Sequence, residues 1–475
     1  MIRPPFRWTM ALLIACTALA SCGGRGFNSG GVPPGGTAPI VLAMTDTPPT
    51  NMSILSAEVI LTGATLNPGN VSLLTTQPTV ELTRLQTDIA YLGTTKVVPG
   101  SYTSLTLTFA NPSLTIENDT TLPIGTCAVG TICTISPTTA NLSTTITIPT
   151  LTAKAGTAAG LLVDVNLDKL LSLLSATLAA DFKAGTTVSE FTPAGSGAPL
   201  VGAEDLVGQV KVLDAVHNTF SFQNAAGQLS LAVDSSTTFL QFPSSLCTTS
   251  VFTCLRANQI LSVDIGIRAD GTPVARNVLF EDTDNSDTEV EGTIINTNVG
   301  SQQFMIVTLG ESATVTGLNI GETATVHYAG SPQTPFDVDF AHADNVQVNT
   351  AGFLFAAPAD LAIGQQVQVR RNPSTSATTS ITADRVRLRS SRITATAQSP
   401  ASDIVPLTNV PSIFSGNGVT QIRAHTSAGI TIFSENNNPI NINMIPNGSL
   451  VSVRGPLFNV SSARTLLATK VVLKP

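Results

Sequence analysis

Aromatic residues are scarce in this chain: one Trp, three Tyr and 19 Phe stand among 475 residues. The Trp is Trp8, and the tyrosines are Tyr91, Tyr102 and Tyr328. Sugar- and base-binding clefts lean on stacked rings, so this chain has little material for one. Charge is equally thin. Asp, Glu, Lys and Arg make up 11% of residues, and 31 acidic residues outnumber 23 basic ones. Phosphate binding wants a basic surface, so nucleic acid is excluded as the expected partner. The four histidines, His217, His327, His342 and His425, lie far apart in sequence. No Gly-x-Ser-x-Gly elbow, phosphate loop or His-Glu-x-x-His helix occurs, which removes the common signatures of hydrolases, nucleotide enzymes and zinc proteases. The expectation is a protein that is not an enzyme, with no catalytic residue and no cofactor. A membrane-spanning helix is also missing: the apolar run from Met10 to Leu19 falls short of the roughly 20 residues a bilayer requires.

That short run has a different meaning. Arg3 and Arg7 precede it, and Leu19-Ala20-Ser21-Cys22-Gly23 follows. A charged start, a short apolar core and small residues before a Cys make an export peptide with a lipidation site. The pattern resembles a bacterial lipoprotein signal. The resemblance implies removal of residues 1–21 and acylation of Cys22. Because Gly23 rather than Asp follows, it also implies sorting to the outer membrane, on its periplasmic or surface face. Residues 22–39 are crowded with Gly and Pro and read as a flexible tether between lipid and folded body.

The folded body is expected to be all-β and to contain several domains, since Thr, Ser, Val, Asn and Gly dominate a long chain with a hydrophobic fraction of 42%. Cys16 and Cys22 belong to the signal and the lipid site. The other four cysteines form two close pairs, Cys127 with Cys133 and Cys247 with Cys254, which in an exported protein read as local disulfides. Each closes a short loop, so each is expected to contribute less than the roughly 3 kcal/mol of a 15-residue loop. A four-cysteine zinc site is disfavoured by spacings wider than the usual two to four intervening residues, and no metal is assigned.

Residues 40–200 read as one domain. Period-two alternation marks strands in Ser56-Ala57-Glu58-Val59-Ile60-Leu61-Thr62 and in Tyr102 to Phe109. Leu167, Leu170, Leu171, Leu174 and Leu178 fall at helical spacing and predict one helix packed on the sheet, capped by Asn166 or Asp168. Met44-Thr45-Asp46-Thr47-Pro48-Pro49, the strand into Val59 to Ala64, Val98 to Leu105 and Leu162 to Leu167 resemble, in order, the domain-of-unknown-function 4382 family. That resemblance implies a β-sandwich-like domain of bacterial lipoproteins and carries no catalytic residue.

The remainder repeats itself. Asn258 to Asp264 is followed by Ala275 to Leu279, Gly364 to Arg370 by Ala383 to Leu388, and Gly448 to Arg454 by Ala468 to Leu473. Opening strands recur at Val207 to Val212, at Val290 to Ile295 and, more weakly, at Ser391 to Ala395. The units run over 205–281, 289–389 and 390–475. They resemble the domain-of-unknown-function 5666 family, which implies tandem β-barrel-like modules, and barrel closure removes open sheet edges.

Two charged stretches are candidate sites. Glu281 to Glu289 is the densest acidic run, but it lacks the Gly and the terminal Glu of a calcium loop, so a solvated linker is expected. Arg385, Arg387 and Arg389 alternate with Val386 and Leu388, placing three guanidiniums on one strand face. That stripe suits either an outer face protected from edge pairing or a grip on an anionic headgroup or polysaccharide. The reading is a lipid-anchored cell-envelope protein with a non-catalytic binding or structural role. It contacts membrane through its N-terminal lipid, with an envelope protein or polysaccharide as further partner. The alternatives are anion binding through the Arg stripe and a hydrolase with a non-standard site.

Overall fold

The computed structural model describes residues 36–49, 52–174, 176–193, 206–224, 227–244, 246, 252–283, 288–311, 318–330, 333–339, 353–371, 379–428, 431–435, 438–460 and 463–474. Cys22, Cys247, His342 and the stretch 284–287 lie outside them. The fold is all-β, and the few α-helices among the described residues are single turns.

In the first domain, Ala38–Thr47 is an apolar run with hardly an exposed position, as suits a strand covered on both faces. It pairs in parallel with Ala159–Asn166 and antiparallel with Ala90–Val97. A second sheet is built on the long antiparallel pair Ser53–Asn67 and Gly100–Glu117, the latter also pairing with Ser143–Ala153. Leu42, Met44 and Val163 from the first sheet share one buried cluster with Leu61, Leu107 and Phe109 from the second, which is the core of a sandwich.

The leucine-rich segment departs from expectation. Only Leu167–Leu170 is helical, capped by the Asn166 side chain, which accepts a hydrogen bond from Lys169 N at 3.0 Å. Leu171–Leu174 then turns into a hairpin with Thr177–Asp181, which adds in parallel to Thr138–Ala140. Leu167, Leu170 and Leu178 are buried, while Leu174 stays 64% exposed. Pairing with a neighbouring strand overrides a helical spacing whose intrinsic preference is weak.

The three repeats share one closed topology. In the first, the strands Gly227–Ala232, Thr219–Asn224, Leu206–Asp214, Ile260–Ile267 and Pro273–Asp282 follow one another, and a parallel bridge from Ala232 to Val274 closes the ring. In the second, Thr323–Tyr328 meets Ser380–Leu388 in parallel to close the same circuit, and in the third Ile422–His425 meets Ala463–Leu467. Each module also carries a short added strand that sequence periodicity did not reveal. Thr238–Leu240 and Phe336–Val338 run parallel to the closing strand of their own module, and Ile432–Glu435 runs parallel to Lys470–Leu473, which follows the closing strand of the third.

The opening glycines have a steric cause. A Cβ on Gly208 would sit 2.4 Å from Gln223 O and 2.7 Å from Phe222 Cζ; one on Gly292 would sit 2.7 Å from Val307 O. By register Gly208 faces Leu261, Gly292 faces Val367 and Ala395 faces Val451, so Ala395 takes the glycine's place in the third module. Gly208→Ala is therefore expected to cost about 1–3 kcal/mol through overpacking. Urea unfolding would check this, with Ala395→Gly expected to cost less than about 1 kcal/mol.

Candidate functional site

The charged residues singled out in the sequence are brought together, but facing inward. The stripe lies on and just beyond Ser380–Leu388, and Arg385, Arg387 and Arg389 have side chains only 15%, 11% and 6% exposed. Arg385 Nη2 lies 2.8 Å from Glu289 Oε1, and Arg387 Nη1 lies 2.6 Å from Glu281 Oε2 with its Nε 3.1 Å from Asp337 Oδ1. Arg389 pairs with Asp339 and, at 3.5 Å, with Glu281. The expected outward-facing stripe is thus corrected: three guanidiniums in a mostly apolar module stay buried only beside carboxylates, and the acidic run supplies them. The expected solvated linker is corrected for the same reason at its two ends, since Glu281 and Glu289 are 5% and 2% exposed.

Glu281 ends the first module and its arginine partners belong to the second, so these pairs hold two repeats together. Burial, assisted by Glu289 and Asp339 and opposed by Arg387 and Arg389, pushes the Glu281 carboxyl up to about 7. The network continues into the first domain. Glu291 lies 3.4 Å from Arg389 Nη2 and 3.0 Å from Arg84 Nη1.

A second cluster joins the first domain to the third module. Asp88 Oδ2 accepts hydrogen bonds from Arg392 Nε and Nη2 at 2.9 and 2.5 Å, while Arg454 Nη1 and Lys470 Nζ stand 3.3 and 3.7 Å from Oδ1. Burial opposes ionisation of Asp88, but the three cations outweigh it and hold the carboxyl far below the usual carboxylate range. Near the chain's end, Lys474 Nζ donates to the Asp46 carbonyl oxygen at 2.9 Å. Asp46 itself is fully buried, and desolvation pushes its carboxyl well above the ordinary range.

The remaining chemistry is sparse. His217 sits in a turn 2.7 Å from Asp214 with its side chain 74% exposed, His327 lies on a strand and His425 packs edge-on against Phe353. A cleft of about 80 Å³ opens where the first domain meets the second and third modules, lined by Pro48, Met52, Gln86, Arg392, Ile413 and Phe414. It has room for only a few waters, and its guanidinium is already committed to Asp88. Among the described residues no grouping of His, Cys, Asp and Glu has the arrangement of a metal site. None of their helices is long and apolar enough to cross a membrane.

The sulfurs of Cys127 and Cys133 are bonded at 2.09 Å. Cys254 is buried and disulfide-bonded, and its expected partner Cys247 lies outside the described residues.

Sequence reading missed a further device. Gln259 and Gln365, each ahead of a repeated strand, are buried and clamp the preceding turn alike. Gln259 Oε1 accepts from Arg256 N at 2.7 Å and its Nε2 donates to Cys254 O at 3.3 Å; Gln365 Oε1 accepts from Ala362 N at 2.6 Å and its Nε2 donates to Asp360 O at 3.1 Å. The signal was present in the shared Gln-x-x-Ser/Gln-Val spacing, but only the fold assigns it a partner.

No protein-family model and no curated protein matches the chain. Among solved structures, a chain titled "drosophila Unr CSD456" aligns with 57% of this chain and 98% of its own length at 10% identity, with a TM-score of 0.13, too low to bear on fold or function.

Proposed function

We propose that this chain is a lipid-anchored cell-envelope protein with a non-catalytic structural or binding role, held on the outer membrane through Cys22 and presenting a β body joined by internal ion pairs. The observation that carries the non-catalytic half is the run from Arg84 through Glu291 and Arg389 to Glu281, in which largely buried ionisable groups bind one another across three units. Groups so paired and buried are positioned for assembly rather than for meeting a substrate. The anchoring half rests on the residues around Cys22. A polyanion gripped by the Arg stripe is disfavoured, because Asp337, Asp339, Glu281 and Glu289 already occupy its guanidiniums.

In cells fed a labelled fatty acid, the wild-type chain is expected to carry label and to fractionate with membranes, while Cys22→Ser carries none and is released. Label retained on Cys22→Ser would overturn the anchoring reading. Turnover of ester, peptide or glycoside substrates that vanished on substituting a single His or Asp would overturn the non-catalytic one.

A further inference from the structure

The first domain ends in a tip made of two segments that are distant in sequence. Thr120 to Thr131 and Leu170 to Ala180 contain no charged residue and no aromatic one. Gly125 N donates to Ala176 O at 2.7 Å, so the loop and the hairpin meet at their ends. On this tip Leu122 is 58% exposed, Val129 48%, Leu173 39% and Leu174 64%. These four are among ten exposed large apolar side chains of the described residues. Soluble surfaces seldom gather apolar side chains on charge-free loops without a use for them.

The loop is held rigid from within. Besides the Cys127–Cys133 disulfide, Asn118 Nδ2 donates to Leu122 O at 3.1 Å and to Cys127 O at 2.9 Å, and Asn118 Oδ1 accepts from Thr120 Oγ1 at 2.7 Å. Ile124 and Cys127 exchange main-chain hydrogen bonds at 3.0 and 2.9 Å, and Gly130 N reaches Asn118 O at 2.7 Å. The hairpin satisfies its own main chain through the pairing of Leu171–Leu174 with Thr177–Asp181. Two conditions for entering a lipid interface are therefore met before contact. The polar main chain is largely paired internally, and no charge must be desolvated. A protein-binding hot spot would call for Tyr, Trp or Arg, and the tip has none.

The geometry points to insertion of this tip into the interfacial region of a lipid bilayer, with Leu122, Val129, Leu173 and Leu174 as the inserting side chains. The tether departs from the other end of the domain: Thr37 O accepts from Gly156 N at 3.0 Å, and Gly100 pairs with Ala153 there, whereas the tip follows Glu117 at the far end of the same strand. The tip is thus a second lipid contact, and it does not depend on acylation of Cys22.

The test uses the chain from residue 22 onward with Cys22→Ser, so that no acyl group contributes. Trp8 lies outside it, so Leu174→Trp introduces a single Trp reporter. With vesicles of phosphatidylethanolamine and phosphatidylglycerol, its emission is expected to shift to the blue and to be quenched by brominated acyl chains. The shift should persist in high salt and on phosphatidylcholine vesicles, because the tip is uncharged. In the parent chain, Leu173→Ser and Leu174→Ser should each weaken vesicle co-sedimentation by about tenfold. Absence of a blue shift on adding vesicles overturns the inference. So does a shift that grows with protein concentration without lipid, which assigns the tip to a second copy, or binding that vanishes without anionic lipid, which assigns it to charge. A failure here with labelled Cys22 intact would leave the anchoring reading standing.

Discussion

Asp88→Ala is expected to destabilise the folded chain by about 3–5 kcal/mol, because it removes a buried carboxylate on which Arg392, Arg454 and Lys470 converge. The loss exceeds that of an ordinary surface ion pair since both sides are out of water. Asp88, Arg392 and Arg454 side chains are 5%, 4% and 4% exposed. Unfolding by urea, followed separately by a probe in the first domain and one in the third module, should show the two transitions moving together in wild type and separating in the variant. The acid limb should change as well. A carboxyl held far below its ordinary range contributes stability that is complete above pH about 4 and drains away as pH falls toward its folded pKa. Wild type should therefore lose stability on acidification more steeply than Asp88→Asn. A cost below about 1 kcal/mol with unchanged acid dependence would show that the cations are satisfied without Asp88.

This dependence on Asp88 also explains what the sequence did and did not disclose. Alternation and turn glycines are local signals, so the strands around Val59, Leu105, Val263, Val369 and Val453 and the threefold repeat were legible from neighbouring residues. The added strands were not, because Thr238–Leu240, Phe336–Val338 and Ile432–Glu435 are short and make their pairing with strands dozens of residues later. Alternation placed Arg385, Arg387 and Arg389 on one face without saying which way that face pointed. Its direction is set by carboxylates such as Glu281, 106 residues from Arg387, and Asp88 lies 366 residues from Arg454. No periodicity spans such distances. The leucine spacing failed for a different reason. Leu167, Leu170 and Leu178 are all buried, as a helix would have them, but a single turn followed by a hairpin buries the same three residues. Only the parallel neighbour Thr138–Ala140 decides between the two.

The second large effect is a loss of stability between about pH 5 and pH 8, removed by Glu281→Gln. Glu281 is raised from an ordinary 4.5 to about 7, chiefly by burial, with Glu289 and Asp339 adding repulsion and Arg387 and Arg389 relieving only part of it. A carboxyl with a raised folded pKa favours the folded state most where it is protonated. Its contribution is complete below pH about 4.5 and is lost as pH climbs through 7, the opposite direction to Asp88. A shift of that size corresponds to about 3 kcal/mol across the window. Glutamine keeps the shape and can still accept from Arg387, but it carries no charge to desolvate and no proton to lose. The variant is therefore expected to match wild type near pH 5, exceed it near pH 8 and show a nearly flat profile between. Because Glu281 closes the first module while Arg387 and Arg389 belong to the second, the wild-type loss should appear as easier separation of those two modules, read as faster proteolysis near their junction at pH 8 than at pH 5. Parallel pH profiles for wild type and Glu281→Gln would show that Glu281 does not titrate in this range and that the junction owes its stability to the other pairs.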